Sequence, residues 1–261
     1  MITKDALLGY KTYRDPYQVE KDYLQDLLLY QVYANSSNEM VLKGGTAFSK
    51  FYSSDRFSED LDFTISDGVE IPVEFSKSII RNAVEKLEYG HSYKEEPYEN
   101  GHGTVAATIL IKGPRYNGKA STLQQVSFEI STTGRLYTGR EAMPRNPVYA
   151  DARPYVALVM KREEILAEKI RALLSKNRKH RERDLYDIYF FLGKGAAANR
   201  DVVRKKLSEV NIEPSMEEFV ESIKDVSGKW ESLAPMVQHR LEEFSYVSDY
   251  VEKRVKESAI F

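Results

Sequence analysis

Within one short stretch, Met40 to Ile65, the sequence changes character several times, and this order constrains the fold more than any other feature. Met40-Val41-Leu42 is an apolar run that stops at Gly44-Gly45, and Thr46 opens a helical stretch that continues to Tyr52. Ser53 to Glu59 is polar. Asp60-Leu61-Asp62-Phe63-Thr64-Ile65 then alternates with period two, as a half-buried strand does. Strand, glycine turn, helix, polar loop and strand together ask for a sheet that carries helices.

The flanks extend this reading. Pro16 to Tyr33 has Leu24, Leu27, Leu28 and Val32 at helical spacing, and Asn35 to Asn38 reads as a polar turn. Pro72 to Leu87 is helical, with Phe75, Ile79, Ile80, Val84 and Leu87 on one side. Thr104 to Ile111 and Leu123 to Ile130 read as strands of a hairpin, since Gly113-Pro114 and Asn117-Gly118 between them supply turn chemistry. Beyond about residue 150 the pattern is helical. Glu163 to Leu174 carries Leu166, Ile170, Leu173 and Leu174 as a buried stripe. Leu185 to Leu192 and residues 201–211, 215–226 and 236–257 follow, separated by Pro214 and Gly228. Pro154 marks the change, giving a first lobe over 1–152 and a helical lobe over 153–261 that contributes to the cleft.

Composition narrows the chemistry. The 261 residues are 42% apolar and 30% charged, as expected for a soluble chain with a real core. No stretch approaches the roughly 20 apolar residues of a membrane span. Met1 to Asp5 is not a basic run followed by an apolar block, so the cytoplasm is the expected compartment and no membrane partner is expected. With no cysteine, disulfides, thiolate metal sites and cysteine nucleophiles are excluded. His91, His102, His180 and His239 are too scattered to suggest a zinc site. The net charge of −2 gives no overall attraction to nucleic acid, but Lys176 to Arg183 sets Lys176, Arg178, Lys179, His180, Arg181 and Arg183 against Glu182 alone. This is either a solvated helix connection or a docking surface.

Three features carry chemistry. Lys43-Gly44-Gly45-Thr46 lies between strand and helix, where glycines allow close approach and helix N–H groups attract phosphate; it can also be only a turn. Asp60 and Asp62 lie two apart on a strand and so share a face. Such a pair repels unless a cation lies between, and hard oxygen ligands suit magnesium; an exposed strand is the alternative. Glu129, between Phe128 and Ile130, either completes a triad of acids for two metal ions or is an exposed strand glutamate.

Taken in order, these parts have the layout of the polymerase-beta-like nucleotidyltransferase fold. More closely, Val41-Leu42-Lys43-Gly44-Gly45-Thr46-Ala47 through Arg56-Phe57-Ser58-Glu59-Asp60-Leu61-Asp62-Phe63 resembles the signature of the AbiEii/AbiGii toxin nucleotidyltransferases, which include the MenT toxins. Glu20-Lys21-Asp22-Tyr23 is similar to the helix that precedes that signature, Glu163 through Leu173 to the second motif, and Arg183-Asp184-Leu185-Tyr186-Asp187 to the third. The likeness spans roughly residues 17 to 192.

The resemblance implies an α+β fold: a mixed sheet with helices, followed by a helical C-terminal lobe. It implies an enzyme that transfers a nucleoside monophosphate from an NTP to an acceptor hydroxyl, using Mg2+ or Mn2+. It also gives roles to residues. Gly44, Gly45 and Thr46, with Lys43, form the nucleotide-phosphate turn, and Asp60 and Asp62 are metal ligands with Glu129 as the third. Lys169 contacts the triphosphate, and Asp184 lines the same cleft. Lys169 also falls at the edge of its helix's apolar stripe, where an ammonium can reach out of the packed face into a cleft. Two departures stand out. Lys176 replaces an arginine frequent in the family, with Arg178 two further on, and the third acid is Glu129 where relatives often have aspartate. The implied role is the toxin of a toxin–antitoxin or phage-defence pair, with tRNA as an RNA acceptor docked on Lys176, Arg178, Lys179, Arg181 and Arg183. Transfer to a protein hydroxyl and a nucleotide-binding module without catalysis are the alternatives.

Overall fold

The computed structural model describes every residue except 36–38, 66–68, 70, 102 and 214. His102, Pro214 and most of the expected turn after Asn35 therefore lie outside the described residues. The chain divides into two compact units. The first comprises Met1–Phe51, Phe57–Leu136 and Arg140–Val159; the second comprises Tyr52–Arg56, Tyr137–Gly139 and Met160–Phe261.

The first unit is built on a mixed sheet of seven strands, in the order β3-β4-β5-β2-β1-β7-β6. The strands are β1 (Met40–Lys43), β2 (Leu61–Ile65), β3 (His91–Glu99), β4 (Thr104–Ile111), β5 (Gln124–Ser131), β6 (Arg140–Arg145) and β7 (Tyr155–Met160). β1 pairs antiparallel with β2 and parallel with β7, while β2 runs parallel to β5 and β4 antiparallel to β5. Central β1 buries Met40, Val41 and Leu42 completely, as a strand covered on both faces must. β5 alternates instead: Gln124, Val126, Phe128 and Ile130 are buried and Glu129 is exposed.

Helices α1 (Lys4–Gly9), α2 (Pro16–Asn35), α3 (Gly44–Phe51) and α4 (Val73–Glu85) belong to this unit. α2 starts where Asp15 accepts the Tyr17 N–H at 2.8 Å and Pro16 takes the first helical position, whose N–H needs no partner. It buries Gln18, Glu20, Lys21, Asp22, Gln25 and Asp26 as well as Leu24, Leu28 and Leu29. Such a helix is stable only if its polar groups find partners. Asp22 and Asp26 accept from Lys50, at 2.7 and 3.2 Å, and Asp26 also pairs with Arg145.

The second unit packs helix on helix. Its helices are α5 (Arg162–Leu174), α6 (Arg181–Gly193), α7 (Arg200–Ser208), α8 (Met216–Asp225) and α9 (Phe244–Glu257), with a 3-10 segment at Ser227–Met236. α5 is the hub and meets α6, α7 and α8. Trp230 is buried against Tyr186 and Phe244, its indole N–H donating to the Glu242 carbonyl at 2.8 Å.

The α+β class and the helical C-terminal region are as expected from the sequence. Four elements were not read there: α1, β3, β6 and β7. β3 carries Pro97 and mostly exposed charged or polar residues at the sheet edge, and β6 is the other edge, so neither alternates cleanly. Phe75, expected on the buried side of α4, is 42% exposed, while Ser76 takes the buried position. α6 starts at Arg181, so the basic stretch straddles a loop and a first helical turn.

Candidate functional site

In the first unit, Lys43, Asp62 and Glu129 form one row across three neighbouring strands. Lys43 is the register partner of Asp62 on β1, and Asp62 is the register partner of Glu129 on β5. Register partners project to the same side of a sheet. The residues on either side in sequence, Leu61, Phe63, Phe128 and Ile130, are fully buried, so the row lies on the opposite, more open face. Asp62 is half-buried and Glu129 exposed. Asp60 is half-buried just ahead of β2, and its carbonyl accepts the buried Thr46 hydroxyl, which ties the first turn of α3 to the start of the acidic strand.

The glycine turn has a specific reason. Gly44 has a φ of +68°, a left-handed conformation, and a Cβ there would lie 2.2 Å from Asp62 Oδ2. The backbone of the turn thus lies directly against one carboxylate of the D-x-D pair. Gly45 and Thr46 are buried behind it in α3.

In the second unit, the resemblance-derived residues meet others. Lys169 is on α5, and Asp184 and Asp187 are on α6. The Lys169 ammonium is 2.7 Å from Asp187 and 3.0 Å from Asp184. Arg56 grips Asp187 from the other side through two hydrogen bonds, Nε at 2.7 Å and Nη2 at 2.8 Å. Arg178 donates to the second oxygen of Asp184 at 3.2 Å. The result is an alternating chain, Arg56–Asp187–Lys169–Asp184–Arg178. Burial pushes the Asp187 carboxyl up, but Arg56 and then Lys169 outweigh it and hold the group below the usual carboxylate range. Burial pushes the Lys169 ammonium down, but Asp187 and Asp184 outweigh that and raise it. Lys169 is 8% exposed, its ammonium held between the two acids of α6. In the sequence Arg56 is only a letter of its motif, and Asp187 only the neighbour of Asp184 three residues on along a helix face. That they pair, 131 positions apart, is a property of the fold.

The basic stretch is largely paired within this unit. Lys176 is 3.5 Å from Glu221, and Arg181 donates to Asp225 at 3.2 Å and to the Leu173 carbonyl at 3.0 Å. His180 is 3.3 Å from Glu182, and Arg183 is half-buried and also has partners. Lys176, Arg178 and Lys179 remain exposed.

Among the described residues, no three His, Cys, Asp or Glu side chains are gathered closely enough to hold a metal ion as they stand. By donor type Asp60, Asp62 and Glu129 suit a hard divalent cation. They are carboxylates only, and two of them are direct neighbours on parallel strands.

A family model described as nucleotidyl transferase AbiEii toxin, type IV TA system, matches residues 27–252, and the chain belongs to that family. Among solved structures, it is similar to MenT4, a nucleotidyltransferase toxin from Mycobacterium tuberculosis H37Rv, with a TM-score of 0.56 and 18% identity, covering 100% of this chain and 89% of that one. It is also similar to JHP933 from Helicobacter pylori, with a TM-score of 0.52 and 16% identity, covering 93% and 94%. At these identities the likeness is one of fold. No curated protein matches the chain. No helix among the described residues is long and apolar enough to cross a membrane.

Proposed function

We propose that the chain transfers a nucleoside monophosphate from an NTP to an acceptor hydroxyl, releasing pyrophosphate, and acts as the toxin of a toxin–antitoxin pair. The observation that carries this reading is the register match of Asp62 with Glu129, two residues after Asp60. Asp60, Asp62 and Glu129 would hold Mg2+ or Mn2+, which would supply positive charge to the oxygens of the phosphoryl group in flight. Lys43, in the same row, and the Gly44-Gly45-Thr46 turn would orient the phosphates. Gly44 keeps the turn close to Asp62, so nucleotide and carboxylates would be held by one rigid strand–turn–helix piece. In the helical unit Lys169 is the proposed phosphate-contacting residue, and Asp184 and Asp187 fix its ammonium.

For the acceptor we propose RNA, at the 3′ end of tRNA. The support is the family resemblance and the exposed Lys176, Arg178 and Lys179. One observation favours a second reading, a protein hydroxyl: Lys176, Arg178 and Arg181 already pair with acids of their own unit. Incubation with each labelled NTP, with total tRNA or with cell protein, decides between them. The proposal expects label on RNA at its 3′ end, dependent on a divalent cation. Label on protein alone supports the second reading.

A further inference from the structure

Four consecutive residues of α2, Glu20-Lys21-Asp22-Tyr23, are polar and almost wholly buried, and three of them are fully engaged. Glu20 accepts the Arg115 N–H at 2.6 Å and the Gln124 amide at 2.7 Å. Asp22 accepts from Lys50 at 2.7 Å and from the Tyr149 hydroxyl at 2.7 Å. Tyr23 donates to Asp151 at 2.9 Å. Each of these acts as a clamp within the first unit.

Lys21 differs. Its side chain is only 4% exposed, yet its ammonium makes no hydrogen bond to any described residue. The nearest anion is Glu59 Oε1 at 3.8 Å, beyond hydrogen-bond reach, and the Tyr17 ring lies 5.0 Å away. An ammonium has three donors, and none of these is taken up by a described acceptor, which leaves them open to water or a ligand. Its position is also fixed. One turn along α2, Gln25 donates to the Ser58 carbonyl at 3.0 Å, so the helix face bearing Lys21 and Gln25 lies along Ser58-Glu59. Asp60, the first carboxylate of the proposed site, is the next residue.

We propose that Lys21 is a phosphate-binding residue, whose open donors take oxygens of the nucleotide's triphosphate next to Asp60. This rests on the reading of Asp60 and Asp62 as the nucleotide site. A lysine suits the task because it acts as a point charge on phosphate, and one whose stem is packed this closely is held in place. Glu59 at 3.8 Å is too far to occupy the ammonium's donors.

The test is calorimetric titration of the full chain with inorganic tripolyphosphate, with each NTP and with phosphate-free nucleosides, with and without magnesium. The wild type is expected to bind tripolyphosphate and at least one NTP. Lys21→Met should weaken both by about tenfold or more, as loss of a charged hydrogen bond does, and Lys21→Arg by less. Any nucleoside binding should be unchanged. If thermal melting shows that Lys21→Met does not fold, Lys21→Gln is read in the same way. Wild-type affinity for tripolyphosphate and NTP in the Met or Gln variant overturns the proposal. So does a loss confined to RNA binding, which would give Lys21 to the acceptor backbone. A wild type that binds no NTP removes the nucleotide reading itself, an outcome distinct from binding that Lys21 does not affect.

Discussion

The backbone of Gly44 lies so close to the Asp62 carboxylate that a Cβ on Gly44 would stand 2.2 Å from Oδ2. Gly44→Ala should therefore act twice. The left-handed φ costs a non-glycine residue about 1 kcal/mol, and the methyl must displace the carboxylate. We expect a lowered melting temperature and a larger loss of turnover. Loss of stability with full turnover would show that the Asp62 position tolerates movement.

Asp60→Asn and Asp62→Asn should each abolish transfer while leaving the fold intact. Each removes one charge from a set of three carboxylates, so the metal-free protein should lose little stability. Thermal melts with and without magnesium check this. A magnesium-dependent rise in melting temperature is expected in the wild type and should shrink in both variants.

Glu129→Gln should weaken metal dependence less than either aspartate change. Glu129 is exposed, while Asp62 is half-buried and fixed by the turn. A magnesium titration of turnover should show a higher requirement with maximal rate partly retained. No change in requirement returns Glu129 to the role of an exposed strand residue.

Lys169→Ala should be far more damaging than a surface substitution. It leaves Asp184 and Asp187 without their shared cation, and breaking a buried pair costs about 3–5 kcal/mol. The pH dependence follows from the directions of the shifts. The Asp187 carboxyl is held below its unfolded value, so its contribution is complete above about pH 4 and is lost as pH falls through the folded value. The Lys169 ammonium is raised, so its contribution is complete below about pH 10 and is lost only above that. Asp187→Asn should remove the acid-side loss, measurable as a flatter stability profile below about pH 4.

Lys176→Ala with Lys179→Ala should lower RNA affinity and flatten its salt dependence, by about 0.7 in the log–log slope per lost contact on a single strand. Both side chains are exposed, so stability should hold. Arg178 and Arg181 make poorer probes, because Asp184 and Asp225 depend on them. RNA binding that ignores salt would take this stretch out of the mechanism.

The sequence exposed the first unit's carboxylate row well, because strand alternation places side chains by counting. Asp62 and Glu129 could be assigned to one face from their apolar neighbours alone, whereas Asp60, read as part of the same strand, lies just ahead of it. The pairing of β2 with β5 could not, since parallel neighbours distant in sequence leave no local mark. Edge strands β3 and β6 were hidden by charge and proline. The partners of Lys169 were hidden for a related reason. A position at the rim of a helical stripe says nothing of what packs there, and the acids of α6 close over it. The polar face of α2 was the least legible, since burial of Lys21 and Asp22 contradicts their hydropathy and depends on partners such as Lys50 and Tyr149.

The most direct measurement is transfer itself: purified chain with each α-labelled NTP and total tRNA, with magnesium and with chelator, beside Asp62→Asn. The account expects label on RNA with magnesium, none with chelator and none with Asp62→Asn of unchanged melting temperature. Label transferred equally well by folded Asp62→Asn, or in the presence of chelator, would contradict it.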